Sequence, residues 1–234
     1  MSLIQEMIDI DSPDGTFQAY LARPDVDEPR AALIVIQEIF GVNGHIRSVC
    51  DRYAEAGYAT IAPDLFWRVE PGFSLGYEPE DIARGREVMA RVPVDSAVED
   101  ILWAQRALED RFHLGSGRTG VVGYCWGGLV AYLTATRLSP ACVSAYYGGG
   151  TVNYLDEVGD IDCPIIFHFG SEDAAISAEQ VVRIGEAMQG LPAEVHTYEG
   201  AGHGFNCEQR ASFNADAASL ARERTMRLFE DQLG

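Results

Sequence analysis

The sequence predicts an α/β protein with a mostly parallel sheet and helices on both faces. Three observations predict it: continuous apolar runs of strand length, stretches of helical spacing between them, and turn residues where each run stops. In chain order, residues 16–22 alternate as a half-exposed strand. Residues 31–37 form the run of a strand covered on both faces. Residues 45–56 read as a helix ended by Gly57, and 59–62 as a strand. A proline and two glycines make 67–76 a loop, after which helical patterns span 79–91 and 93–111. A buried strand at 119–124 runs directly into a helix at 126–137. Strands at 143–147, 165–169 and 194–198 follow, with a helix at 177–189 between the last two. The final helix, 214–233, places Ala217, Leu220, Ala221, Leu228 and Phe229 on one stripe. There is no internal repeat and no long linker, so the expectation is a single domain over residues 1–234.

Charge narrows the function. Among 234 residues, 17 Lys and Arg face 36 Asp and Glu, a formal net charge of −19. Nucleic acid and anionic membrane surfaces are bound through clustered cations, so neither is an expected partner. The longest aliphatic run, 31–36, is far too short to span a bilayer, and the N-terminus has no signal-peptide pattern. Five scattered cysteines with no Cys-x-x-Cys pair argue against a disulfide framework and for a reducing cytoplasm. The histidines lack metal-ligand spacing, and the glycines near residue 120 lack dinucleotide spacing, so no metal or cofactor is expected. His168, inside a strand, reads as a hydrogen-bonded core residue, and Cys142 and Cys163 as packing residues.

The chemistry concentrates at Gly123-Tyr124-Cys125-Trp126-Gly127. This Gly-x-nucleophile-x-Gly pattern falls between a buried strand and a helix, where a sharp turn leaves no room for Cβ atoms beside the nucleophile. The helix N-terminus there favours a thiolate on Cys125. Asp173, after the 165–169 strand, and His203, after the 194–198 strand, lie at strand C-terminal ends, where parallel sheets gather their sites. Glu172 adjoins Asp173 as a rival acid. The order nucleophile, acid, histidine is that of the α/β-hydrolase fold. An oxyanion hole requires two N–H donors; the amides of Trp126 and Ile39 are the candidates, the latter in the loop after residues 31–37.

Three motifs together, Gln37-Glu38-Ile39-Phe40-Gly41-Val42-Asn43, Gly123 to Gly128 and Gly202-His203-Gly204-Phe205, resemble the dienelactone hydrolases (carboxymethylenebutenolidases), as does Ala221-Arg-Glu-Arg-Thr225. The resemblance spans essentially the whole chain. It implies a cysteine-dependent carboxylic ester hydrolase that opens a lactone through a thioester, with Cys125, Asp173 and His203 as its triad. It further implies that Glu38 faces the resting thiol and accepts its proton when substrate arrives. The family's substrate carboxylate is held by two arginines. Arg84 matches the first, with Arg86 as its competitor; Cys207 stands where the second belongs, and Arg210 is the candidate replacement. Tyr124, Trp126 and Phe205 are the bulky residues expected around the pocket, with a place in the core as the alternative for each. The expected partner is a small ester or lactone, and the expected assembly a monomer or small homo-oligomer. Two further readings share the fold: a broader carboxylesterase or thioesterase, and a non-catalytic thiol-bearing binding module.

Overall fold

The computed structural model describes residues 2–26, 29–115 and 117–234. It resolves into two compact units, one built on the chain up to Gly120 with Leu233, the other on Val121 to Gln232 with Gly234.

The first unit opens with a hairpin. β1 (Leu3–Ser12) and β2 (Gly15–Pro24) pair antiparallel along their full length across a turn at Pro13 and Asp14. β2 then pairs antiparallel with β4 (Ala59–Pro63), which pairs parallel with β3 (Ala32–Ile36), giving the order β1-β2-β4-β3. Every residue of β3 and β4 is buried; β3 is apolar throughout, and the one polar side chain of β4, Thr60, donates to the Ala22 carbonyl at 2.9 Å and the Cys50 carbonyl at 3.1 Å. Helix α1 (Gly44–Glu55) starts at Asn43, whose side chain accepts the Ile46 N–H, and packs on β2, β3 and β4. α2 (Pro79–Met89) begins with a capping box between Glu78 and Asp81, and α3 (Val94–Phe112) packs on β1, β3 and β4. The buried Asp100 of α3 accepts from Trp67 Nε1 at 3.0 Å and from Arg68 at 2.6 Å, which ties the loop after β4 to the helix.

β5 (Thr119–Tyr124) carries the chain into the second unit. It is followed by α4 (Trp126–Arg137), β6 (Cys142–Tyr146), a 3-10 segment (Thr151–Asp160), β7 (Ile165–Gly170), α5 (Ala178–Ala187), β8 (Ala193–Tyr198) and α6 (Ala215–Leu233). The strand order here is β5-β6-β7-β8, with β6 and β7, and β7 and β8, running parallel. α4 is buried from Trp126 through Thr136, which explains its nearly all-round apolar sequence.

The predicted elements recur with ends shifted by one or two residues. The hairpin strand β1 is the one that pattern reading misses. Its Gln, Glu and Asp residues have poor strand propensity, and pairing with β2 outweighs it. The Pro13-Asp14-Gly15 turn is the signal that marks it. β6 stops one residue short of the predicted end because Tyr147 adopts φ +36°. Among the described residues, no helix is long and apolar enough to cross a membrane.

A buried polar network joins α6 to the strands. Thr225 Oγ1 lies 2.9 Å from Ser144 Oγ, 2.9 Å from Tyr146 Oη and 3.0 Å from His168 Nε2. His168 Nδ1 is 2.8 Å from Tyr198 Oη, and complete burial holds this imidazole neutral, well below its usual range. His168 is thus the core histidine its strand position suggests. Thr225→Val keeps the shape but strips the network of its hub. We expect a loss of about 1–3 kcal/mol in urea unfolding, seen as a lower midpoint at unchanged slope.

Candidate active site

The site is built on a backbone reversal. Cys125 adopts φ 57° and ψ −121° between β5 and α4, a region that costs a residue with Cβ of order 1–3 kcal/mol. Two close approaches explain the glycines around it. A Cβ on Gly123 would lie 1.9 Å from the Gly127 carbonyl oxygen, and one on Gly128 would lie 2.4 Å from that of Tyr146. The Cys125 N–H donates to the Tyr146 carbonyl at 3.1 Å, and the Cys125 carbonyl accepts from Gly128 at 2.9 Å. The half-buried thiol therefore sits at the head of α4, on a turn pinned to the end of β6.

The carboxylate comes from the loop after β7. Asp173 Oδ1 accepts the backbone N–H groups of Ala175 at 2.8 Å and Ile176 at 3.1 Å, leaving Oδ2 to meet His203 Nδ1 at 2.8 Å. Its side chain has no exposed surface, whereas Glu172 is exposed, which separates the two acids that sequence left open. The imidazole comes from the loop after β8. A Cβ on Gly170 would stand 2.1 Å from the Ala201 carbonyl oxygen, so the β7 end lets that loop approach. Ser212 Oγ donates to the His203 carbonyl at 2.7 Å. His203 Nε2 then lies 3.1 Å from Cys125 Sγ. Since Nδ1 faces a carboxylate, it carries the proton, and Nε2 is the nitrogen offered to sulfur.

Burial works against a charged His203. Against that, the sulfur of Cys125 when ionised, together with the hydrogen bonds to Asp173 and Cys125, pushes the imidazole up to about 10. The unfolded imidazole titrates near 6.5, so the folded chain holds this proton more tightly. Its contribution to stability is complete below pH 6.5 and is lost as pH rises through about 10.

The remaining predicted residues divide. Phe205 is 0% exposed, packed against Tyr146, Tyr147 and Tyr198, and Tyr124 stacks on Tyr146 with ring centres 4.7 Å apart. Both are core residues beneath the site rather than exposed walls. Trp126 is buried as the first residue of α4, where first-turn amides point out of the helix end. Arg210 is half-buried, and its guanidinium lies over Gly204, next to His203: a Cβ on Gly204 would meet its Nη1 at 2.3 Å. In the first unit, Arg84 is bound to Glu70 and, at 2.8 Å, to Glu87, while Arg86 is exposed. Ile39 is buried with its carbonyl against Gly85, and Glu38 is fully buried and accepts from Tyr77 Oη at 3.0 Å.

Two residues escaped the sequence reading. The buried Tyr147 ring meets the His203 imidazole edge-on at 5.2 Å, and only its positive φ before three glycines marks it. Tyr77 sits in a loop with no motif of its own. In Cys125→Ala the sulfur charge is gone, so the His203 midpoint in an NMR titration should fall from about 10 toward 6.5. A midpoint that does not move would mean that Asp173 alone holds the proton.

Comparison with known proteins places these features. The sequence profile of the dienelactone hydrolase family matches residues 17–233. A carboxymethylenebutenolidase of Pseudomonas putida is 34% identical over 230 residues, covering 96% of this chain and 95% of that protein. A crystal structure of a candidate dienelactone hydrolase from Klebsiella pneumoniae superposes with a TM-score of 0.88 at 29% identity, covering 98% of this chain and 99% of that one. A dienelactone hydrolase-like promiscuous phosphotriesterase from metagenomic libraries shares the fold at 17% identity, with a TM-score of 0.85 over 100% of both chains. The elbow at Cys125 and the order of the residues that meet it are therefore set in a sequence that agrees with one family from β2 to α6: this chain belongs to the dienelactone hydrolase family and is by class a carboxylic ester hydrolase.

Proposed function

We propose that the chain, acting as one domain over residues 1–234, hydrolyses small esters or lactones through a thioester on Cys125. The observation that carries this reading is the hydrogen-bonded series Asp173, His203, Cys125 at the head of α4. In it, the Cys125 sulfur attacks the carbonyl carbon and the C–O bond of the ester or ring breaks. The leaving oxygen departs with a proton from His203 Nε2, and an acyl group remains on sulfur. His203, now neutral and held with its remaining proton on Nδ1 by Asp173, then takes a proton from water as the water attacks the thioester. The amides of Trp126 and Ile39 are assigned to the oxyanion, and Glu38 to accepting the thiol proton when substrate binds. Keeping the thiol protonated until then protects it from oxidation.

For the substrate's own charge, the geometry favours Arg210. Its guanidinium lies over Gly204, one residue from His203, and Arg84, in the first unit, is bound to Glu70 and Glu87. That engagement of Arg84 also favours the second reading, a broader esterase or thioesterase acting on neutral acyl groups. The buried cysteines other than Cys125 fit a reducing compartment.

Cys125→Ala should lower kcat on p-nitrophenyl acetate and on a carboxylated lactone by at least about a thousandfold. Retained turnover would overturn the thioester route. Arg210→Gln should raise KM for the carboxylated lactone by roughly tenfold or more while leaving the neutral ester little changed. Equal effects on both substrates would favour the broader esterase.

A further inference from the structure

Glu38 is a fully buried carboxylate, and a buried carboxylate is set by what hydrogen-bonds to it. The chain supplies a donor of fixed direction. Asn43, at the N-cap of α1, accepts the Ile46 N–H on Oδ1 at 3.2 Å, and its Nδ2 donates to the Leu75 carbonyl at 3.0 Å. A backbone N–H can only donate and a carbonyl can only accept, so the Asn43 amide has one orientation. The same Nδ2 donates to Tyr77 Oη at 3.1 Å. Tyr77 Oη receives that bond and therefore aims its own proton at Glu38 Oε2, 3.0 Å away.

The loop carrying Tyr77 is held where it must be. Leu75 N–H donates to the Phe40 carbonyl at 3.0 Å, and Ser74 bridges Gly41. A Cβ on Gly41 would lie 1.9 Å from the Phe73 carbonyl oxygen, so glycine at φ +76° is what allows the two loops to touch. The Tyr77 ring packs edge-on against Phe40 at 4.7 Å.

We propose that Asn43 and Tyr77 are positioning residues that keep Glu38 ionised and aimed, by spending the tyrosine proton on its carboxylate. This rests on the reading of Glu38 as acceptor of the thiol proton: an acceptor must arrive at the reaction without a proton of its own. Among the described residues of the first unit, His45 of α1 is a titratable side chain that faces this group: a ring nitrogen lies within 4.8 Å of the Glu38 carboxylate, and its ring centre is 6.5 Å from that of Tyr77. α2 meets the Glu38 loop at Gly85, which has no side chain. Cys125 and His203, the other groups that titrate in the proposed reaction, are unchanged in the variants below.

The test is kcat/KM for p-nitrophenyl acetate against pH, together with the pH dependence of Cys125 alkylation by iodoacetamide, on the full chain. Tyr77→Phe removes the donor to Glu38. Asn43→Asp keeps the helix cap but turns the donor into an acceptor that competes for the tyrosine proton. Both should move the acid limb up by about one pH unit, a tenfold loss at a pH on that limb, with the alkaline plateau nearly unchanged. Acid limbs that stay in place in both variants would overturn the proposal, as would a uniform loss at every pH, the mark of a merely structural role. Glu38→Gln separates the two levels. If the acid limb survives it, the reading of Glu38 fails and this inference with it; if the limb vanishes there but is unmoved in the other variants, this inference fails alone.

Discussion

The structure of the site depends on one residue holding an unfavourable backbone conformation. Cys125 at φ 57° reverses the chain between β5 and α4, and every close contact around it serves that reversal. Gly123 and Gly128 admit the backbone of Gly127 and Tyr146 at distances no Cβ tolerates. The Tyr146 carbonyl both receives the Cys125 N–H and abuts Gly128, so the last residue of β6 fixes where the sulfur stands. Its neighbour Tyr147, also at positive φ, sets its ring edge-on to His203. Two consecutive residues at one strand end thus position the Cys125 sulfur and the His203 imidazole. Strain of this kind persists only where the surroundings over-determine it, and here a carbonyl, three glycines and an aromatic cluster do so.

Charge is managed in the same way, by fixed hydrogen bonds rather than by exposure. The chain carries a net charge of −19, yet the acids at its two key places are buried: Asp173 and Glu38. Asp173 spends one oxygen on two backbone N–H groups and the other on His203. Glu38 receives a tyrosine proton whose direction is dictated by an asparagine amide. In each case a group with only one possible hydrogen-bond role removes the ambiguity from its neighbour.

How much of this was legible in the sequence follows from what each feature depends on. β3, β4 and β5 could be read because strands covered on both faces are largely apolar, and the elbow because only glycine fits beside it. That Cys125, Asp173 and His203 would come near one another was legible because each follows a strand. Which of Glu172 and Asp173 turns inward was not, since both suit the loop and only the bonds from Ala175 and Ile176 decide it. Phe205 and Tyr124 looked like pocket walls because aromatic residues beside a motif serve packing and binding alike; burial sends both to the core. β1 hid behind its acids, and Tyr77 behind a loop, because pairing partners distant in sequence supply what local propensity lacks. Arg84 takes its expected binding role from the family resemblance alone; in the structure it is bound to Glu87, one helical turn on, and to Glu70 in the loop before α2.

The raised proton affinity of His203 also bears on which bonds this site suits. An imidazole held protonated to about 10 is a reluctant base toward a neutral thiol, but it is a good partner for a sulfur already charged. A thiolate made by handing its proton to a carboxylate elsewhere fits that arrangement, because it leaves His203 still carrying the proton that stabilises sulfur. Such a nucleophile is strong toward carbon but is itself a good leaving group, so the tetrahedral intermediate collapses forward only when the departing oxygen is at least as stable. Enol esters and enol lactones come nearest that condition, whereas an alkoxide or an amide nitrogen needs a proton delivered as it leaves. On the proposed thioester route, a preference for activated oxygen esters would follow from pairing sulfur with a tightly protonated imidazole.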